Sequence, residues 1–198
     1  MGKVIVINKY TRTPEGFMRI DCTSGNRKWA PFCSPFRLGP VQCYAGLESK
    51  NMENAWQFSK VYADQVDANG DPTPEYFEWR DKGYSNPDPI RHPHEGKPLY
   101  IYWNGEKYGY IEARKKVYIP LYANAFVKGG GYKMLKDLLK DNNIALADFD
   151  GYDFKALGLS SYEDVINYEK RSLAHAFIIA MLLEKDPAIA PYFNLNSI

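Results

Sequence analysis

Residues 99–111, LYIYWNGEKYGYI, read as two alternating aromatic runs separated by Asn104-Gly105. Asn-Gly at the centre of such a pattern selects a type I′ turn, because both central residues then take φ > 0, which Asn and Gly tolerate best. The expectation is an antiparallel aromatic β-hairpin at about residues 98–111. Around it the sequence mixes further strand patterns with several helical ones and shows no internal repeat, which points to α+β rather than to a regular βαβ array.

Towards the N-terminus, residues 4–10 (VIVINKY) and 16–22 (GFMRIDC) flank Thr13-Pro14-Glu15 and read as a second hairpin. Residues 29–44 carry Pro31, Pro35, Gly39 and Pro40 between aromatics and read as ordered but irregular. Asn51 is a plausible N-cap, with Glu53 in the first turn where the helix dipole favours a carboxylate. From there Met52, Ala55, Trp56, Ser59, Tyr62, Ala63 and Val66 form the stripe of a helix packed on a core. A short helical turn is expected at 76–79, then a proline-broken loop at 86–94.

Towards the C-terminus, a strand is expected at 117–122. Gly129-Gly-Gly131 then leads into a helix over 132–141, with Leu135, Leu138 and Leu139 on one side. Residues 144–149 read as a buried strand, and Ser160 with Glu163 has capping-box spacing. A central buried helix is expected over about 169–185. The fold class that results is α+β: one compact domain over 1–198, several helices packed around a small mixed sheet.

Composition narrows the functions. Lys+Arg 25 against Asp+Glu 24 leaves a formal charge of +1, so no bulk field favours nucleic acid or an anionic membrane. The apolar runs fall short of the ~20 residues that span a bilayer, and the N-terminus leads straight into a strand pattern, so no signal peptide or anchor is expected. Cys22, Cys33 and Cys43 are odd in number and lack CxxC spacing, which argues against a disulfide framework or structural zinc and for a reducing cytoplasm. Neither a metal nor a cofactor is expected. Sixteen tyrosines suit core and hairpin packing first, and base stacking second.

Two stretches can carry chemistry. Glu53, Gln57, Lys60 and Asp64 advance by four, three and four, so they share one edge of the expected helix. That edge is either a solvated face with favourable charge spacing or one wall of an active site. Residues 147–153, ADFDGYD, place Asp148, Asp150 and Asp153 at the C-terminal end of a buried strand, where ligands are often held; the plainer reading is a solvated Asp-Gly turn. His92 and His94 read as a surface loop, and His175 as a hydrogen-bonded core histidine. Gly129-Gly-Gly131 matches neither a P-loop nor a dinucleotide fingerprint. A GxSxG motif and an obvious Cys–His pair are absent.

Residues 52–60, MENAWQFSK, resemble the signature of the NADAR (NAD- and ADP-ribose-associated) family, in which a Glu precedes an aromatic-Gln pair and a Lys. Residues 32–36, FCSPF, resemble its preceding loop. Residues 146–153 stand where its acidic, glycine-containing loop stands, and residues 174–184, AHAFIIAMLLE, resemble its closing helix. The similarity runs in order from about 32 to 184, with the aromatic hairpin as an insertion, in the manner of divergent bacteriophage members.

The resemblance implies an N-glycosidase that hydrolyses a ribosyl C–N bond of an ADP-ribosylated or ribosylated base or nucleotide, in a host cytoplasm if phage-encoded. It makes Glu53 the principal carboxylate, Lys60 a proton donor or phosphate grip, and Asp148 or Asp150 the second acid or a ribose-hydroxyl binder. Trp56, Gln57, Phe36, Asp153 and Arg114 are the implied substrate-binding residues. The competing expectation is a binder that holds an ADP-ribose-like nucleotide or a modified nucleic acid without cleaving it. A nucleic-acid partner stays open, a membrane partner is not expected, and the oligomeric state is not legible.

Overall fold

The computed structural model describes residues 2–198. Strands β1 (Val4–Asn8) and β2 (Phe17–Asp21) come first, followed by a short helix α1 (Ala30–Cys33) and the strand pair β3 (Val41–Gln42) and β4 (Glu48–Ser49). Helix α2 (Met52–Gln57), strand β5 (Lys60–Val61), helix α3 (Pro74–Ser85) and strands β6 (Tyr100–Trp103) and β7 (Glu106–Tyr108) form the middle of the chain. Helix α4 (Tyr110–Ala113) runs through a π-helical turn, Arg114–Tyr118, into α5 (Ile119–Lys128). Helix α6 (Gly131–Leu138), strand β8 (Asn143–Asp148) and helices α7 (Tyr162–Asn167) and α8 (His175–Glu184) complete an α+β domain.

The sheet that carries the site is parallel, in the order β1-β8-β2, with Leu146 of β8 opposite both Val6 and Ile20. Ile144, Ala145, Leu146 and Ala147 are all fully buried, as a central parallel strand requires. Helix α8 packs against β1, β8, α5 and α6 and is buried on every side from His175 to Leu183. It forms the centre of the core, and its mostly apolar sequence follows from that position. No helix among the described residues is long and apolar enough to cross a membrane.

The aromatic hairpin forms as expected: β6 and β7 pair antiparallel about Asn104 (φ 51°) and Gly105 (φ 87°), the two positive φ values of a type I′ turn. Asn51 caps α2, its side chain accepting from Asn54 N at 2.8 Å. The buried strand at 144–149 and the helix after the glycine run are also present, as β8 and α6.

Several expectations are corrected. Residues 4–22 are not a hairpin: β2 runs in the same direction as β1, and β8 lies between them. Residues 9–16 instead carry the chain back, pinned by the Arg19 guanidinium on Lys9 O, Thr11 O (3.0 Å) and Thr13 Oγ1 (3.2 Å). Helix α2 stops at Gln57 rather than near Val66. Ser59 Oγ bonds back to Ala55 O at 2.6 Å and meets the Tyr84 hydroxyl at 2.7 Å, and the next residues pair with β6, Lys60 opposite Ile101. The aromatic hairpin offers an edge, and backbone pairing with it outweighs helical continuation.

Residues 117–122 are helical rather than a strand, and Ile111 lies in α4 rather than in the hairpin. The segment 29–44 holds α1 and β3, and the turn expected at 76–79 is the twelve-residue α3. The capping box is Ser161 with Asp164, one residue beyond the expected pair, and α8 starts at His175, not near 169.

Candidate functional site

A cavity of about 270 Å³ opens where the C-terminal end of β8 meets the N-termini of α2 and α8. Glu53, Trp56, Gln57, Lys60, Phe36, Arg114, Asp148 and Asp150 all line it. The structure thus brings together the two stretches that the sequence singled out, almost a hundred residues apart. Asp153 and Asp64 do not join them. Asp153 is exposed and accepts from Lys155 N at 3.0 Å; Asp64 sits outside, paired with His94 at 3.1 Å.

The N-terminus of α2 is held by the irregular loop before it. Met52 N donates to Leu38 O (2.8 Å) and Glu53 N to Pro35 O (3.0 Å), which satisfies helix N–H groups that have no partner within the helix. This fixes Glu53 against the cavity, where its residue is only 7% exposed. Gln57, one turn on, donates from Nε2 to Glu53 Oε1 at 2.9 Å and accepts at Oε1 from Lys60 Nζ at 2.6 Å. Lys60 is on β5, not on the helix, yet its ammonium reaches the same row and lies 5.7 Å from the Trp56 ring. Glu53, Gln57 and Lys60 therefore form a connected chain in which the amide fixes both charged groups.

Burial pushes the Glu53 carboxyl above its usual range, against the Gln57 hydrogen bond and the positive charges of Lys60, Arg91 and His175. Burial also lowers Lys60, with the Glu53 charge opposing it. Both groups are thus moved towards neutral pH, as proton-transferring groups are.

Asp148 is placed differently. It ends β8 at the N-terminus of α8, where its Oδ2 lies 2.9 Å from His175 Nδ1 and 3.4 Å from Ala176 N. His175 Nε2 lies 3.1 Å from Cys22 O. Both ring nitrogens face acceptors, so the imidazolium satisfies both contacts, whereas the neutral ring satisfies only one. Burial works against that charge, but Asp148 and the Cys22 carbonyl raise His175 to about 8. Burial alone would raise Asp148 as well; the His175 charge and hydrogen bond, with the N–H groups of Ala176 and Asp150, hold it below its usual range. Asp150, at the exposed rim, is raised by partial burial and by the Asp148 charge, with Arg91 and His175 opposing. The two neighbouring aspartates are thus driven in opposite directions.

Arg114 is 1% exposed. Its guanidinium donates to the carbonyls of Ile166 (3.2 Å), Tyr168 (2.9 Å) and Arg171, and lies 4.3 Å from the Tyr110 ring. Both terminal nitrogens are therefore engaged with the segment that carries Ser172 and Leu173 to the cavity, while Nε, buried, has no hydrogen-bond partner, so Arg114 braces that segment from the cavity wall. Trp56 and Tyr118 meet on the cavity wall (5.1 Å), and behind them the fully buried Tyr122 links Tyr118 (6.2 Å) to His175 (5.4 Å).

Sequence reasoning missed Arg91, Tyr110, Tyr118, Phe149 and His175 as lining residues. Arg91 arrives because the Asn54 side chain donates to Asn86 O (3.0 Å) and Asp88 O (2.9 Å) and accepts from Ile90 N (2.8 Å), clamping the proline-broken loop. The available signals were a buried Asn in an amphipathic helix and a lone His opening an otherwise apolar one. Among the described residues no three His, Cys, Asp or Glu side chains gather as a metal site needs.

Fold and site together define an α+β domain with one acid- and cation-lined cavity at the end of a parallel strand. No protein-family model, curated protein or solved structure matches the chain.

Proposed function

We propose that this chain is an N-glycosidase of the NADAR kind, hydrolysing the ribosyl C–N bond of a ribosylated or ADP-ribosylated base or nucleotide. The observation that carries the reading is the Glu53-Gln57-Lys60 row on one cavity wall, with Asp150 on the same cavity and all three ionisable groups shifted towards neutrality.

Breaking a ribosyl C–N bond builds positive charge on the sugar ring and negative charge on the departing nitrogen. Glu53 as carboxylate stabilises the first and takes a proton from the attacking water, whose oxygen forms the new bond to the anomeric carbon. The leaving nitrogen takes up a proton from Asp150 or Lys60, and Gln57 keeps Glu53 and Lys60 in register. Asp148, already committed to His175 and the start of α8, fixes the floor of the site rather than transferring a proton. Trp56, Tyr118 and Phe36 supply apolar faces for the base. A cytoplasmic setting and a nucleotide-type substrate without a metal or cofactor belong to the same proposal.

The test, followed by chromatography with wild type and Glu53→Gln, is release of guanosine and ADP-ribose from ADP-ribosylated guanosine, and of the aminopyrimidine from ribosylamino pyrimidines. Turnover abolished in Glu53→Gln supports the hydrolase. Stoichiometric binding by both proteins with no product released assigns the cavity to a non-catalytic binder instead.

A further inference from the structure

A second cavity, of about 470 Å³, lies between the chain that follows α1 and the C-terminal half of α5, and shares no lining residue with the Glu53 cavity. Its size falls in the roughly 300–1,000 Å³ range of small-molecule pockets. The floor is apolar: Leu38 and Val41 are buried, Leu121 and Ala125 half-buried. Its charge has one sign. Arg37 and Lys128 line the exposed rim and no Asp or Glu does, and neither of these side chains donates a hydrogen bond or meets a carboxylate among the described residues. The lining amides are already engaged, Gln42 Nε2 on Glu48 Oε2 (2.6 Å) and Asn124 Nδ2 on Pro120 O (2.7 Å), and Glu48 is itself paired with Lys50 (3.5 Å). Arg37 and Lys128 are left to meet a charged head group.

An apolar floor under unpaired cations fits an amphipathic anion, whose body leaves water while its charge stays at the rim. Lys128 sits in the last turn of α5, where the helix dipole already offsets part of its charge, so a singly charged head matches the site better than a phosphate dianion. The planar fork of Arg37 suits a carboxylate. We infer that this cavity is a second ligand site, which takes a small organic carboxylate, its body on Leu38, Val41, Leu121 and Ala125 and its charge at Arg37 and Lys128. The inference stands apart from the ribosyl reading of the first cavity. The two cavities nevertheless draw on one stretch of chain: Ser34, Pro35 and Phe36 line the first and residues 37–40 the second, while Pro35 O and Leu38 O hold the N-terminus of α2. A bound carboxylate therefore packs against the segment that fixes Glu53.

The experiment is fluorescence titration with naphthoate, with naphthylmethanol as the uncharged analogue, naphthyl phosphate as the dianion and inorganic phosphate as competitor. The proteins are wild type, Arg37→Gln, Lys128→Gln, these two combined, Ala125→Phe to fill the cavity, and Arg91→Gln to remove a cation from the Glu53 cavity, each checked for native circular dichroism. Wild type is expected to bind naphthoate with Kd on the order of 0.1–1 mM at low salt, and naphthylmethanol about tenfold more weakly. Each single loss of charge at the rim weakens naphthoate about threefold, and both together about tenfold. Ala125→Phe abolishes binding, and Arg91→Gln leaves it unchanged. Should Ala125→Phe not fold, the exposed Arg37 and Lys128 variants carry the test.

Absence of naphthoate binding, equal binding by the combined variant, or a loss in Arg91→Gln in place of Arg37→Gln overturns the inference, the last by placing the ligand in the Glu53 cavity. Tighter binding of naphthyl phosphate, or displacement by inorganic phosphate at equal concentration, overturns the carboxylate assignment. Sedimentation that shows a dimer in wild type and a monomer in Ala125→Phe gives the cavity to a second copy of the chain and overturns it likewise. The two readings fail separately: turnover of ADP-ribosylated guanosine without naphthoate binding removes the second site alone, and naphthoate binding without turnover removes the hydrolase alone.

Discussion

Replacing His175 by Gln tests the electrostatic floor of the cavity directly. His175 is 8% exposed and bridges Asp148 and the Cys22 carbonyl, and its pKa stands at about 8 against an ordinary 6.5. Between those values the folded protein keeps a proton that the unfolded chain has released, so stability falls as pH rises. The contribution is complete below pH 6.5 and lost above about 8. A difference of one and a half units at 1.36 kcal/mol each amounts to about 2 kcal/mol. Urea unfolding followed by tryptophan fluorescence at pH 6, 7, 8 and 9 reads it as the difference between wild type and His175→Gln. That difference is expected to shrink by about 2 kcal/mol from pH 6 to 9. A difference that stays flat across the range would refute the imidazolium assignment, and with it the account of why Asp148 stays ionised.

Glu53→Gln is expected to lower kcat by about 10²–10⁴-fold with ligand affinity within a few-fold, since it removes proton transfer but keeps the side chain's shape; steady-state product release measures it. Asp64→Asn leaves kcat/KM within about twofold of wild type in the same assay, because Asp64 faces His94 outside the cavity. Gly151→Ala places a Cβ 2.2 Å from the Ile7 carbonyl oxygen, a backbone atom, so thermal unfolding is expected to show a loss of about 2 kcal/mol or more. Turnover falls with it, as the loop carrying Asp150 is displaced.

What the sequence disclosed was governed by how local each cause is. The Asn104-Gly105 turn, the Asn51 cap and the Gly129-Gly-Gly131 approach to α6 are fixed by neighbouring residues, and the structure keeps them. The parallel β1-β8-β2 arrangement depends on a strand more than 120 residues further along, and a Thr-Pro-Glu spacer cannot reveal that competitor. Residues 117–122 are apolar and β-branched enough for a strand, but the helical start at Tyr110 continues through them. At the site, Glu53 and Gln57 were legible from helical spacing. Lys60 reaches the row by a different path, a strand paired to the hairpin, while Asp64 is turned away by that same pairing. Arg91 and His175 depend on side-chain contacts to distant carbonyls, which no window of sequence displays.

The central place of β8 also bears on the order in which the molecule can assemble. β1 and β2 have no hydrogen-bonding contact with one another and must wait for residues 143–148 before either gains a neighbour. At about 5–20 residues per second of synthesis that interval is roughly 6–25 s. Over that time two strands stand with unpaired edges on the emerging chain, and the floor of the cavity is among the last parts of the protein to exist.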